Sequence, residues 1–236
     1  MINKNKYIGK VFVLNKGITA TVINYEGSKN VDVMLSNGIV LKKLTINNLE
    51  NKMVANPMEK TILGVGYTGI YKENKLRKQA YSAWLSMIKR CYGGLEVNYL
   101  DCTVSEEWHN FSNFLDWYSV SYFKGCCVDK DLKIKGNRIY SKDNCLLVPK
   151  EINNLIVNNK RKNNRFIGVR KSFDKFVSYF NNEYIGSFIT EIEAFLCYKK
   201  IREEFIKDIS LLYYSNGLIS TECYDSLNKW KIELND

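Results

Sequence analysis

The stretch from Cys126 to Leu155 carries the side chains with the most chemistry to offer. Cys126-Cys127-Val128-Asp129-Lys130-Asp131-Leu132 ends in two carboxylates two residues apart, a spacing that puts both on one face of a β-strand. Gly136-Asn137-Arg138-Ile139-Tyr140-Ser141 follows, then Asn144-Cys145-Leu146-Leu147-Val148-Pro149 and Lys150-Glu151-Ile152-Asn153-Asn154-Leu155. The pattern predicts strand, polar loop, strand, helix. Pro149 suits the first positions of a helix, and Asn153 then falls in its first turns.

Other chemistries are disfavoured by composition. The chain has seven cysteines and one histidine, which argues against His-rich zinc fingers and against Ser-His-Asp or Cys-His catalysis. His109 lies one step off an apolar helical stripe and is expected at the surface. Cys91, Cys102, Cys126, Cys127 and Cys145 cluster in the centre, but no Cys-x-x-Cys pair occurs. Buried free thiols are therefore expected, and structural zinc is not. An odd cysteine count also speaks for reduced thiols. Gly64-Val65-Gly66-Tyr67-Thr68-Gly69 has phosphate-loop glycine spacing without the Lys-Ser/Thr that follows in such loops, so it reads as a turn-rich joint.

Charge points to a polyanion. The net charge of +10 is uneven: residues 1–80 carry 13 basic and 5 acidic side chains, residues 81–157 carry 9 of each, and residues 158–236 carry 13 and 11. Asn158-Asn159-Lys160-Arg161-Lys162-Asn163-Asn164-Arg165 is the densest basic run. Basic segments interleaved with aromatics suit a nucleic-acid partner, and a solvated Lys- and Asn-rich surface is the plainer alternative. The run at 158–165 is expected to track phosphates more than to read bases. The first residues lack the apolar stretch of a secretory signal, and no apolar run approaches the ~20 residues of a membrane span, so a soluble intracellular protein is expected.

These side chains need elements to position them. Alternation and β-branching predict strands at Lys10–Leu14, Ile18–Tyr25, Val31–Leu35 and Ile39–Leu44, with Asn37-Gly38 as a hairpin turn; a small SH3-like antiparallel barrel is expected. Tyr81, Trp84, Met87/Ile88 and Cys91 recur at helical spacing, as do Trp108, Phe111, Phe114/Leu115 and Tyr118, with Ser105 as N-cap. Towards the C-terminus, Gly168–Ser172, Lys175–Phe180 and Glu183–Phe188 read as three short strands. A helix follows, opened by a Thr190/Glu193 capping box. Residues 208–236 read as a closing helix pair.

The order Trp84…Arg90-Cys91-Tyr92, Glu107-Trp108…Phe111…Phe114, Val128-Asp129-Lys130-Asp131, Tyr140-Ser141…Asn144-Cys145, Pro149…Asn153 resembles bacteriophage-encoded HNH-type endonuclease-like proteins. The resemblance implies a ββα unit holding one divalent metal, Mg²⁺ or Mn²⁺ if the centre is active. It makes Asp129 the metal carboxylate, Asp131 an alternative to it, and Asn153 the helix-borne ligand. Lys130 stands where the family has its general-base histidine. A lysine with an ordinary pKa is protonated at neutral pH, so Lys130 would hold a scissile phosphate or stabilise developing charge. Tyr140 is the candidate for a nearby tyrosine used in a related restriction enzyme. A centre that has lost metal and activity and only supports DNA binding stands beside this.

Gly168-Val169-Arg170, a strand ending in an aromatic, then Gly186-x-Phe188-x-Thr190-x-x-x-Ala194…Tyr198 is similar to the AP2-type DNA-binding domain. There a three-stranded sheet enters the major groove with the helix behind it. The resemblance, which covers residues 166–207, makes Arg170, Lys175 and Tyr179 sheet-face contacts with Lys171 beside them; Lys160, Arg161, Lys162 and Arg165 are DNA-binding candidates by their charge. The fold class is thus expected to be α+β: an SH3-like barrel at 1–52, a linker at 53–78, an HNH-like ββα domain with flanking helices at 79–157, an AP2-like sheet and helix at 158–207, and a helical tail at 208–236. The implied partner is double-stranded DNA in the cytoplasm of a bacterial host. Two further readings stay open: a non-enzymatic regulator or inhibitor of a host anti-phage defence, using the barrel to hold a host protein, and RNA binding by the basic N-terminal part.

Overall fold

The computed structural model describes residues 6–156 and 166–234. The protein is mixed α+β and divides into two compact units, residues 1–72 and 73–236. Among the described residues no helix is long and apolar enough to cross a membrane.

In the first unit, β1 (Val11–Val13), β2 (Thr19–Tyr25), β3 (Val31–Leu35) and β4 (Val40–Leu44) form an antiparallel sheet in that order, followed by the short α1 (Ile46–Glu50). The strands lie where the alternation places them, because every second residue of β2 and β3 faces one core: Ala20, Val22, Val31, Val33 and Leu35 are all buried. Asn37-Gly38 turns the third strand into the fourth, with Gly38 at φ +83°. The expected closed barrel does not form: among the described residues no pairing joins β4 to β1, so the sheet is open. α1 packs on the core side of the sheet, where its Ile46 and Leu49 join the residues buried from β2 and β3. Residues 53–72 fold back onto this unit: Val54 joins its core and the amide of Gly69 donates to the Pro57 carbonyl at 2.9 Å.

In the second unit, α2 (Arg77–Tyr92), β5 (Thr103–Val104), α3 (Glu106–His109) and α4 (Phe111–Ser121) come first. The two apolar stripes foreseen from helical spacing meet here in an aromatic cluster. Trp84, Trp108, Phe111 and Phe114 are fully buried, and Trp84 Nε1 donates to the Trp108 carbonyl at 2.6 Å. Ser105 makes no capping hydrogen bond; Asn110, capping α4 through the Ser112 amide, does that work one helix later.

Next come β6 (Cys126–Asp129), β7 (Ile139–Tyr140), β8 (Leu146–Pro149) and α5 (Lys150–Ile156). β6 pairs antiparallel with β8, and β7 pairs parallel with β5. The expected strand, polar loop, strand and helix are present with one difference: the short β7 forms inside the polar loop and pairs with β5. Pro149 closes β8 opposite Cys126 instead of opening the helix; a proline at a strand end forfeits little ladder bonding. Beyond the undescribed stretch, β9 (Val169–Ser172), β10 (Lys175–Phe180) and β11 (Glu183–Phe188) form a sheet in the order β11-β10-β9. α6 (Glu191–Ser215) and α7 (Thr221–Lys229) complete the unit. The Thr190/Glu193 capping box opens α6 as the sequence indicates. One hydrophobic core runs through all of this: Val148 and Ile152, Val169, Phe195 and Ile206, and Cys223, Trp230 and Ile232 belong to a single cluster. The C-terminal tail is part of that core.

Candidate functional site

Two polar clusters in the second unit hold the residues singled out by sequence. The first surrounds the end of β6. Asp129 is the last residue of that strand and is buried. Its Oδ1 accepts the backbone amides of Asp131 at 3.0 Å and Leu132 at 2.6 Å, so the carboxylate folds the chain out of the strand into the loop. Burial pushes its carboxyl up to about 6, against the lowering effect of those two hydrogen bonds. Asp131 therefore lies beyond the strand, not on its face with Asp129.

Lys130 is 7% exposed. Its ammonium donates to both carboxylate oxygens of Asp131, each at 2.8 Å, and to the Asn137 carbonyl at 2.7 Å. It lies 5.9 Å from the ring centres of both Tyr99 and Tyr140. Charge-assisted donation to three oxygens between two rings satisfies the cation fully. Asn137, which sequence reasoning passed over, completes the lock. Its Nδ2 donates to the carbonyls of Lys130 at 2.9 Å and Ile139 at 2.7 Å, and its Oδ1 accepts from the Ile139 amide at 3.2 Å. The Gly136-Asn137 turn dipeptide was the available signal, with Gly136 at φ +76°. Tyr140 is 2% exposed; it hydrogen-bonds Arg90, and burial holds its phenol above the ordinary tyrosine range.

Asn153 sits on α5, which packs on both β6 and β8. Its Oδ1 is buried without a hydrogen-bond partner among the described residues. That atom is an acceptor in want of a proton or a cation, but the carboxylates of Asp129 and Asp131 are largely engaged by other partners. Asp129 Oδ1 is taken by two amides and both Asp131 oxygens by Lys130, and among the described residues no three His, Cys, Asp or Glu side chains are grouped to hold a metal. An open Mg²⁺ or Mn²⁺ centre needs several free oxygens, and these hydrogen bonds leave few of them at the end of β6. Burial pushes the thiols of Cys91 and Cys127 up to about 11 and those of Cys145 and Cys223 to about 12. His109 is half-buried, not on the surface, with its Nε2 3.1 Å from the Tyr92 hydroxyl.

The second cluster is the sheet β9-β10-β11. Cross-strand partners share a face, and the register pairs Arg170 with Val177 and Lys171 with Phe176. Phe176 packs against the core, so Lys171 belongs to the helix side. Arg170, Lys175, Val177 and Tyr179 share the other side, on which Val177 is buried, Tyr179 half-buried, and Arg170 and Lys175 open to solvent. Lys171 does not stand beside Arg170 as expected, because adjacent strand residues point to opposite faces. Ser178 is also on the core side, fully buried, so it makes no sheet-face contact. On the open side the Arg170 guanidinium lies 4.6 Å from the Tyr179 ring centre, and Tyr184 meets the same ring edge-on at 6.1 Å. A bulge between Ser178 and Tyr179 brings Tyr184 opposite Tyr179. Glu183 pairs with the core-packed Phe180, so no acidic strand residue shares the open face. Lys160, Arg161, Lys162 and Arg165 lie outside the described residues.

The first cluster is therefore closed upon itself, and the second presents cations and aromatic surface to solvent. No family model, curated protein or solved structure matches the chain.

Proposed function

We propose that the protein binds duplex DNA through the open face of β9-β10-β11, and that its ββα segment is a scaffold for that face and not a working nuclease centre. One observation carries the reading: Arg170, Lys175 and Tyr179 share an acid-free open face of a three-stranded sheet, while every charged group at the end of β6 is engaged by its neighbours. Strand side chains at alternate positions suit the major groove, and a guanidinium is the commonest reader of guanine edges. The similarity to AP2-type domains supports the same face. So does the basic flank at 160–165, which adds counterion-releasing charge.

The test is fluorescence anisotropy on labelled duplex DNA at several salt concentrations, for the full chain and for Arg170→Ala/Lys175→Ala. Salt-sensitive binding weakened by the double substitution is the expected result; binding indifferent to it removes the sheet face from the proposal. A competing reading, metal-dependent nicking, has one observation in its favour: the unpartnered Asn153 Oδ1. Incubation of long duplex DNA with Mg²⁺ or Mn²⁺ and an EDTA control decides between them. Discrete products that vanish in Asp129→Ala and Asn153→Ala would overturn the scaffold assignment.

A further inference from the structure

A cavity of about 350 Å³ opens beside the β10–β11 hairpin, lined on one side by Arg170, Tyr179 and Asn182 and on the other by Asn154, Tyr198 and Arg202. That volume is several times the ~30 Å³ share of a water molecule and falls in the range of small-molecule sites. The lining contains two guanidiniums and no carboxylate.

Arg202 is the informative member. It is 5% exposed, and buried arginines are ordinarily paired with an acid. Here the guanidinium gives one N–H to the Tyr198 hydroxyl at 2.8 Å and another to the Leu155 carbonyl, both neutral acceptors. No carboxylate pairs with it among the described residues. The stretch 157–165, Val-Asn-Asn-Lys-Arg-Lys-Asn-Asn-Arg, brings four basic residues and no acid, so it has no carboxylate to supply either. A planar fork with free N–H groups at a concave, acid-free surface matches a tetrahedral oxyanion.

The walls are built for close approach. Gly168, at φ +76°, lies so near the Tyr198 ring that a Cβ there would be 2.1 Å from Cδ2. Only glycine fits, which holds the start of β9 against the ring. Asn181 and Asn182, at φ +49° and +66°, form the hairpin turn that such paired left-handed residues favour, and this places Asn182 at the cavity. Tyr179 lines the cavity with its ring beside the Arg170 guanidinium, an aromatic and cationic pair of the kind that holds nucleotides.

We propose that this cavity binds the phosphate of a single nucleotide, with Arg202 and Arg170 as the anion's partners and Tyr179 beside the nucleoside. The ligand is either a free mononucleotide or one phosphorylated unit of a nucleic acid. The site borders the proposed DNA face and shares Arg170 with it, but rests on Arg202, which that face does not use.

The experiment titrates the full chain with dTMP, thymidine and inorganic phosphate, and separately with 5′-phosphorylated and unphosphorylated oligothymidylate and with duplex DNA. Binding of dTMP but not thymidine is expected. Asn182→Asp, a surface change that the turn tolerates and that sets a carboxylate at the cavity, should weaken dTMP binding by roughly tenfold or more with the melting temperature unchanged. Arg202→Lys should weaken it too, and Asn182→Asp keeps the test valid if that buried variant fails to fold. Preference for the 5′-phosphorylated oligomer over dTMP would assign the site to nucleic-acid ends; equal affinity would assign it to the free nucleotide. Thymidine binding as well as dTMP, dTMP binding unaffected by Asn182→Asp, or no dTMP binding overturns the proposal. Duplex binding that survives without dTMP binding leaves the sheet face standing alone; dTMP binding without duplex binding does the reverse.

Discussion

The end of β6 and the open face of β9-β10-β11 are assembled from similar side chains, yet they differ in what those side chains have left to give. At β6, a lysine, two aspartates and an asparagine are bonded to one another or to the backbone, and Tyr140 beside them hydrogen-bonds Arg90. At the sheet, an arginine, a lysine and two tyrosines face outward. A buried charge must find its partners within the fold or unfold it, so depth decides whether a polar cluster is a fastener or a contact. Residue type and order alone do not fix which of the two a cluster becomes.

The difference can be broken or sharpened by substitution. The largest effect is expected for Lys130→Met, which removes the ammonium between Asp131 and the Asn137 carbonyl. Loss of a buried, multiply bonded cation should cost about 2–4 kcal/mol, read by urea unfolding followed through the buried tryptophans. If the protein instead stays stable and loses DNA binding, Lys130 serves a phosphate and the two clusters are not so different after all.

Gly168→Ala comes next. The new methyl meets the Tyr198 ring and strains a left-handed backbone, a cost of about 2 kcal/mol or more that should appear as a lowered Tm. An unshifted Tm would mean that the ring moves aside freely and that the wall of the sheet is soft.

Asp129→Asn tests the fastener by pH. The unfolded carboxyl ionises near its ordinary value of 3.8 and the folded one near 6, so between those values the folded state holds the extra proton. Wild-type stability should therefore fall as pH rises from about 4 to about 6 and level off above. The asparagine variant lacks that loss and should gain on wild type across the window, by an amount on the order of 2 kcal/mol. Parallel stability curves for the two proteins, or Mg²⁺ stabilising wild type alone, would return Asp129 to the role of a metal carboxylate.

The smallest effects concern the sheet. Arg170→Ala and Lys175→Ala should each reduce the slope of log affinity against log salt by about 1, while Lys171→Ala, on the other face, should change it little. Equal slopes for all three would show that the register does not select the binding face.

Much of the fold was legible because it follows from local pattern. The alternation in β2 and β3, the Asn37-Gly38 turn, the tryptophan stripes and the Thr190/Glu193 box each state a period or a cap that needs no distant partner. Closure of the first sheet was not legible, because it depends on whether β1 and β4 meet, and no local signal encodes that. Asp131 and Lys171 were misplaced for one reason: strand alternation was extended past the last strand residue in one case and across adjacent residues in the other.

The candidate site divides in the same way. Sequence alone determined which residues are charged, that the basic ones flank a neutral centre, and that Asp129 lies on a strand and Asn153 on a later helix. Only tertiary structure decided that Lys130 is enclosed by Asp131, Asn137 and two tyrosine rings, that Arg170 and Tyr179 stack in the open, and that Arg202 is buried with no acid beside it. The physical reason is that burial and pairing are properties of neighbours brought together from far along the chain: Leu155 and Arg202 are 47 residues apart. A sequence names each group's charge, whereas what that charge can still do depends on which partners the fold has already given it.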